Sequence, residues 1–429
     1  MNEIEIIDNL INKTCKEIVK FSNEDGSFIF NKDPNINIPP FFDHTLVRTS
    51  EAIRILIYSQ NIDYLPHINK SLLYCLNFNF SADTEINFLC SKLKVIRFLD
   101  NSFVKKRQKK IIDLILDKQC IGGYWGVFPD TYNLLNFSIV DPLYLYNSQK
   151  INASLLKLVK WFYMNRAKDK LGWGYNQNSE KSQNSYTANV LFSILRTNQN
   201  YNWEIIDEAL DFLISNQNSD GGFSSSDTTI NDQSTVYATS LSLICLLVLK
   251  ADPFNSNVKK AFNFLIKHSL KSGGWGLIKS DKKIQIYTSY YATYALKLYK
   301  YFSENYFKSK FDFVDKTKDF NIFLFFEFEN EINNGFKNSL VKFILNSNIY
   351  GSSLEATKRR KKIVDIFYKN GILEVGDVIN LIKKYPKYKN ITKKYHITLI
   401  KSDLDHLNKI GILVKHKNKY CLLGNFNIK

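Results

Sequence analysis

The stretch NQNSDGGFSSSDTTINDQSTVYATSLSLICLL, residues Asn216–Leu247, decides how this chain is read. Asp220-Gly221-Gly222-Phe223 interrupts the pattern, a polar loop follows, and an apolar run from Tyr237 to Leu249 then reads as a helix. Glycine just past a helix end takes the left-handed conformation at no steric cost, so it closes the preceding helix. The aromatic residue beside it is placed to fold back and seal one helical hairpin against the next.

The same mark recurs. Gly122-Gly123-Tyr124-Trp125-Gly126 follows the amphipathic run Lys105–Gln119, Gly172-Trp173-Gly174-Tyr175 follows Leu155–Ala167, and Gly273-Gly274-Trp275-Gly276 follows Val258–Leu270. Asp25-Gly26-Ser27-Phe28 is a weaker version, ahead of Thr49–Tyr58. A unit around Ile68–Asp100 has two helical runs and no glycine mark. A recurrence of roughly 50 residues is the signature of a repeat architecture. Second helices are expected at Asp141–Tyr146, Thr187–Leu195, Tyr237–Leu249 and Ala292–Tyr299. Six such hairpins over residues 1–305 stack on a shared core, either as a closed ring or as an open solenoid.

Gln217-Asn218-Ser219-Asp220-Gly221-Gly222-Phe223 with Tyr237-Ala238-Thr239-Ser240-Leu241, and Lys271-Ser272-Gly273-Gly274-Trp275-Gly276, resemble the repeat of squalene and terpene cyclases and of protein prenyltransferase β subunits. The resemblance implies a mainly α chain built as an (α/α)6 toroid of six helical hairpins, whose inner helices line a central space that accepts isoprenoid chains. It does not by itself imply a reaction. Two chemistries belong to such proteins, and each needs particular residues. Class II cyclases protonate an alkene with an Asp-x-Asp-Asp motif before an inner helix. Aligned on the helix starts, the acid pair falls at Val47-Arg48, Ser185-Tyr186, Thr235-Val236 or Tyr290-Tyr291, none acidic. Protein prenyltransferases hold zinc with Asp, Cys and His. Here Asp232-Gln233-Ser234 carries serine at the Cys position, and Tyr287-Thr288-Ser289 stands where His belongs. No metal and no cofactor is expected.

Polar residues remain at the expected inner-helix starts: Asp43-His44, Asp141-Pro142 and Asp232. Helix capping accounts for each, with Pro142 at the first helical position. The alternative gathers them on one rim, with Asp232 as a lone general acid. Tyr186, Tyr237, Tyr287, Tyr290, Tyr291 and Tyr294 cluster at the same starts, as packing residues or as a wall against an apolar ligand.

The last fifth of the chain differs. Residues 351–429 hold 18 Lys+Arg against 6 Asp+Glu, so +12 of the total +17 sits there. After a connector, 306–350, in which Phe320–Phe328 reads as a strand or a packed segment, three helices are expected at Thr357–Tyr368, Val375–Lys384 and Ile397–Ile410. Two strands, Ile412–Val414 and Tyr420–Leu423, flank a basic tip. The order resembles winged helix-turn-helix domains. That resemblance implies Thr398, Lys401 and Ser402 facing bases and Lys415 and Lys417 touching phosphates, although Asp403 and Asp405 oppose groove insertion. Either DNA or a partner protein is the expected target.

Six scattered cysteines without a Cys-x-x-Cys pair, and no N-terminal apolar segment, lead us to expect a reduced, cytoplasmic protein. The most apolar run, Thr239–Leu249, is too short to span a bilayer. The whole reads as a ligand-binding or regulatory protein, whose toroid holds an isoprenoid-like, lipid or peptide ligand. The alternative is a terpene cyclase or prenyl-group enzyme with a non-standard acid.

Overall fold

The computed structural model describes residues 3–29, 45–98, 102–126, 133–146, 148–197, 201–225, 233–249, 253–305, 318–345, 350–351, 353–386, 394–416 and 418–422. In chain order the helices are α1 Glu3–Val19, α2 Thr45–Ser59, α3 Leu65–Asn77, α4 Ile86–Ile96, α5 Ser102–Asp117, α6 Asn133–Leu143, α7 Gln149–Met164 and α8 Asn184–Thr197. They continue as α9 Trp203–Ser215, α10 Val236–Leu249, α11 Ser256–Lys267, α12 Ile286–Asn305, α13 Lys318–Leu345, α14 Leu354–Asn370, α15 Val375–Ile382 and α16 Lys394–Lys409. The strands are β1 Phe223–Ser224, β2 Ser234–Thr235, β3 Leu373–Glu374, β4 Leu413–His416 and β5 Lys419–Leu422.

Two compact units result. The first comprises Met1–Lys20, Ala82–Lys94 and Ile112–Glu331, and the second comprises Phe21–Ser81, Val95–Ile111 and Ile332–Lys429.

In the first unit two kinds of helix alternate. α9 buries Ile206, Ala209, Leu210 and Leu213, one stripe at helical spacing, and keeps its acids outside. α10 buries every residue except Tyr237, because α8, α9, α11 and α12 surround it. Side-chain caps start the amphipathic helices. Ser148 accepts from the Ile151 N–H, Asn202 from Ile205 and Asn255 from Asn257.

The glycine marks join the two kinds of helix by one repeated set of bonds. The aromatic residue of each mark donates its backbone N–H to a side chain in the first turns of the next inner helix. The pairs are Trp125 to Asn136 Oδ1 (2.9 Å), Trp173 to Thr187 Oγ1 (3.0 Å), Phe223 to Thr239 Oγ1 (2.9 Å) and Trp275 to Ser289 Oγ (2.9 Å). The indole N–H then reaches back to the preceding helix, from Trp125 to Ile115 O, Trp173 to Phe162 O and Trp275 to Leu265 O, at 2.7–2.8 Å. In three of these four marks, all but that at 172–175, one glycine also lies against the backbone of an outer helix. A Cβ on Gly123 would meet Lys157 O at 2.7 Å, and one on Gly221 would meet Lys260 O at 2.5 Å. For Gly273 the carbonyl it meets, at 2.4 Å, is that of Lys13 in α1. The last mark thus packs on the first helix. Gly274 N–H donates to Thr14 Oγ1 (2.9 Å), Lys259 bonds Glu3, Lys300 bonds Asp8, and α1 lies against α12. These contacts close a ring and exclude the open solenoid.

The second unit repeats the device once. Phe28 N–H donates to Thr49 Oγ1 (3.0 Å), and Gly26 lies against Lys70. Its C-terminal part holds α14, α15 and α16 with a three-stranded antiparallel sheet in the order β3-β5-β4. The short β3, pairing Leu373 with Tyr420, is absent from the sequence reading. The turn after α16 rests on α3: Asn69 Nδ2 donates to Asn408 O (2.7 Å). Phe320–Phe328 is not a strand; it lies inside the helix α13.

Candidate functional site

The inner helices α6, α8, α10 and α12 pack side by side in the first unit. Their facing side chains form a continuous aromatic column. At the N-terminal ends of α10 and α12, the Tyr237 and Tyr287 rings lie 5.2 Å apart, and Tyr291 sits edge-on to both, at 5.4 and 5.0 Å. The column continues from Tyr291 to Phe137 (5.9 Å), to Phe192 (6.1 Å), and on to Tyr294 (5.6 Å) and to Phe325 of α13 (6.0 Å).

The two ends differ chemically. At the upper end the Tyr237 hydroxyl donates to Asn189 Oδ1 (2.9 Å) and lies 3.3 Å from the Tyr287 hydroxyl. Burial, and then the neighbouring Tyr287, push the Tyr237 phenol well above its ordinary range, so it stays neutral. Tyr237 nevertheless keeps part of its surface accessible, as do Tyr186 and Tyr287. Deep enclosure together with residual accessible surface is the condition of a side chain lining an interior space.

The lower end is ionic. Asp141 Oδ1 accepts from Arg196 Nη1 (2.8 Å), and Asp141 Oδ2 lies 3.3 Å from Lys94 Nζ. Arg196 Nη2 faces Glu329 at 3.8 Å, and Tyr294 donates its hydroxyl to the same carboxylate. The guanidinium also lies over Phe192 (3.9 Å), Tyr144 (4.8 Å) and Tyr294 (5.5 Å). Burial opposes the charge on Arg196, but Asp141, the flanking tyrosines and Glu329 hold it firmly protonated. Two cations and two carboxylates thus neutralise one another in the core. An acid held this way is poorly suited to protonate an alkene, because it is ionised and paired.

Several expectations are corrected here. Asp141 and Pro142 do not start an inner helix. The helix begins at Asn133, so both residues occupy its last turn. Asp141 is an ion-pair partner of Arg196 and not a cap. Tyr290, Tyr291 and Tyr294 are fully buried, and Tyr186 packs edge-on to Tyr175 (5.5 Å). Ser234, at the position of the missing thiolate, donates to Asp220 Oδ1 and accepts from Asn218 Nδ2, both at 2.8 Å, so it ties the glycine turn to β2. Asp43, His44, Asp232 and Lys417 lie outside the described residues. Among the described residues no three His, Cys, Asp or Glu side chains converge as a metal site.

The reading missed Lys94, Asn189, Arg196 and Glu329. The signal was present in part: Asp141 stands as a single charge within Phe137–Leu143, Arg196 directly follows the run Val190–Leu195, and buried charges come paired.

At the C-terminus, Thr398, Lys401, Ser402 and Lys415 are exposed. Asp403 is buried and held by Arg359 and Arg360 of α14, the latter at 2.7 Å. Asp405 accepts from the Tyr420 hydroxyl (3.1 Å).

The alternating helices, the recurring marks and the seam at α1 define an α/α toroid. Residues 56–231 and 226–350 match the prenyltransferase alpha-alpha toroid domain, and the chain belongs to that family. Among solved structures it is similar to type II terpene cyclase MstE from Scytonema. A variant bound to its substrate geranylgeranyl dihydroxybenzoate aligns with a TM-score of 0.50 at 12% identity, over 68% of this chain and 97% of that one. A second, apo variant gives a TM-score of 0.50 at 12% identity, over 70% and 97%. At that identity the likeness is one of fold. No curated protein sequence matches the chain. Among the described residues no helix is long and apolar enough to cross a membrane.

Proposed function

We propose that the toroid receives an isoprenoid chain against its aromatic column and acts on it as a terpene-cyclase-like enzyme. The continuous run of rings from Tyr237 to Phe192 carries this reading. Its partly accessible rings, Tyr186, Tyr237 and Tyr287, offer a greasy chain an apolar contact, and ring faces favour positive charge developing on that chain. The MstE substrate is itself a geranylgeranyl compound, which supports an isoprenoid ligand here. Asp141 and Glu329 are committed to Arg196 and Lys94, so the acid must come from elsewhere. Asp232 is the proposed donor, as it closely precedes α10 and Tyr237 in the chain. The test is incubation with geranylgeranyl compounds and mass spectrometry of the extract. Cyclised product lost in Asp232→Asn supports the reading; tight binding without turnover leaves a ligand-binding protein.

The C-terminal elements favour a second, additive role. Three helices followed by a hairpin, with β3 completing the sheet, support a winged-helix reading of residues 351–429. Asp403, which the sequence set against DNA, is turned inward and neutralised. Thr398, Lys401 and Ser402 are left exposed on α16 for DNA or for an acidic partner protein.

A further inference from the structure

We infer that the ligand of this toroid carries an uncharged, hydrogen-bond-accepting polar end, seated among Tyr237, Tyr287 and Asn189, and is not a diphosphate. The inference rests on the isoprenoid reading above and narrows it. Among the described residues, the groups that act on Tyr237 are the uncharged Tyr287, Asn189 and Tyr186. Tyr237 donates to Asn189 Oδ1, Tyr287 lies within hydrogen-bond distance of Tyr237, and burial keeps the Tyr237 phenol protonated. Asn189 is 1% exposed, and its Nδ2 has no acceptor in the protein. A buried donor without a partner is costly, and an oxygen on the ligand would relieve it.

At the other end two buried cations are already matched. Lys94 and Arg196 face Asp141 and Glu329, and the guanidinium fills the ring faces of Phe192, Tyr144 and Tyr294. A diphosphate placed at the tyrosines would leave water for a place where no cation among the described residues acts on Tyr237, and one placed at Arg196 would compete with two carboxylates. A carbonyl, ether or hydroxyl oxygen meets neither penalty.

The experiment is calorimetric titration of the full chain with geranylgeraniol, with geranylgeranyl diphosphate, and with the corresponding hydrocarbon lacking the hydroxyl. We expect the alcohol to bind at least tenfold tighter than the diphosphate. Asn189→Leu, which removes the unpartnered Nδ2 donor, should weaken the alcohol about fivefold, the worth of one neutral hydrogen bond, and leave the hydrocarbon unchanged. Tighter binding of the diphosphate overturns the inference while leaving the isoprenoid reading in place. An equal loss for alcohol and hydrocarbon in Asn189→Leu also overturns it, because the amide would then act only through packing. Binding of none of the three removes both readings.

Discussion

Replacing Gly273 by alanine should open the ring at its seam. The residue has φ +111°, where an L-residue is strained, and its new Cβ would stand 2.4 Å from Lys13 O and 2.5 Å from Lys13 C. The obstacle is helix backbone, which cannot turn aside as a side chain can. The backbone strain alone is worth about 1–3 kcal/mol. Ordinary contact then requires α1 to retreat by about 1 Å, enough to break the bond from Gly274 N–H to Thr14 Oγ1, at about 1 kcal/mol. Apolar contacts along the seam weaken as well, and a loss of about 3–5 kcal/mol follows, at the top of the range for point substitutions. The control is Gly122→Asp. Gly122 is exposed, and the equivalent position in other marks is Asp25, Asp220 or Ser272. Asp220 Oδ1 accepts from Gly222 N–H (2.9 Å), a turn the substitution would copy. Only the Tyr124 ring must move, so we expect a change within about 1 kcal/mol. Urea unfolding followed by tryptophan fluorescence reads both, since Trp125, Trp173 and Trp275 are buried in this unit. Equal midpoints for the two variants would refute the seam.

Arg196→Met should cost about 3–5 kcal/mol by leaving Asp141 and Glu329 without their shared cation, and Arg196→Lys should not rescue it, since an ammonium lacks the planar face that lies on Phe192; chemical denaturation measures both. Stability should fall as pH rises above about 10, the unfolded phenol value. Tyr237, Tyr163 and Tyr299 titrate higher when folded, and Tyr301 is pushed up to about 12, so the unfolded chain loses these protons first and gains from alkali. Tyr237→Phe should flatten that decline in alkaline unfolding curves. If the C-terminal elements bind DNA, Lys415→Ala should weaken binding similarly for all sequences and lower the salt slope by about one unit. Lys401→Ala should instead change sequence preference, and anisotropy titrations of the full chain at two salt concentrations separate the two.

The repeat was legible because its physics is local. A glycine past a helix end, an aromatic residue beside it and an apolar run after it are all read within one window, and they located the marks at 122–126, 172–175, 221–223 and 273–276. The helices α14, α15 and α16 were equally plain, ended by Gly371, Pro386 and Gly411. What failed was whatever depended on helix start points and distant partners. The repeat marked at 122–126 starts its inner helix with Asn133, and Asn136 does the work of the threonine in Thr187 or Thr239. Alignment on threonine and alanine therefore slid past it and placed Asp141 a full helix away from its true position. α13 was misread because its aromatic run has no single apolar stripe. Phe325 and Phe328 are buried by different neighbours, Phe192 on one side and Tyr294 and Tyr301 on the other.

The same misplacement hid the polarity of the interior. With Asp141 at a helix start, the acids and the tyrosines fall on one rim and suggest acid catalysis beside an aromatic wall. With Asp141 in the last turn of α6, they separate to opposite ends of the column. The tyrosine end is neutral and accessible, and the acid end is paired, buried and joined by Glu329 from α13. A charge quartet of this kind contributes little net stability over an apolar core. Its value is positional: it ties α4, α6, α8 and α13 together and engages both Lys94 and Arg196.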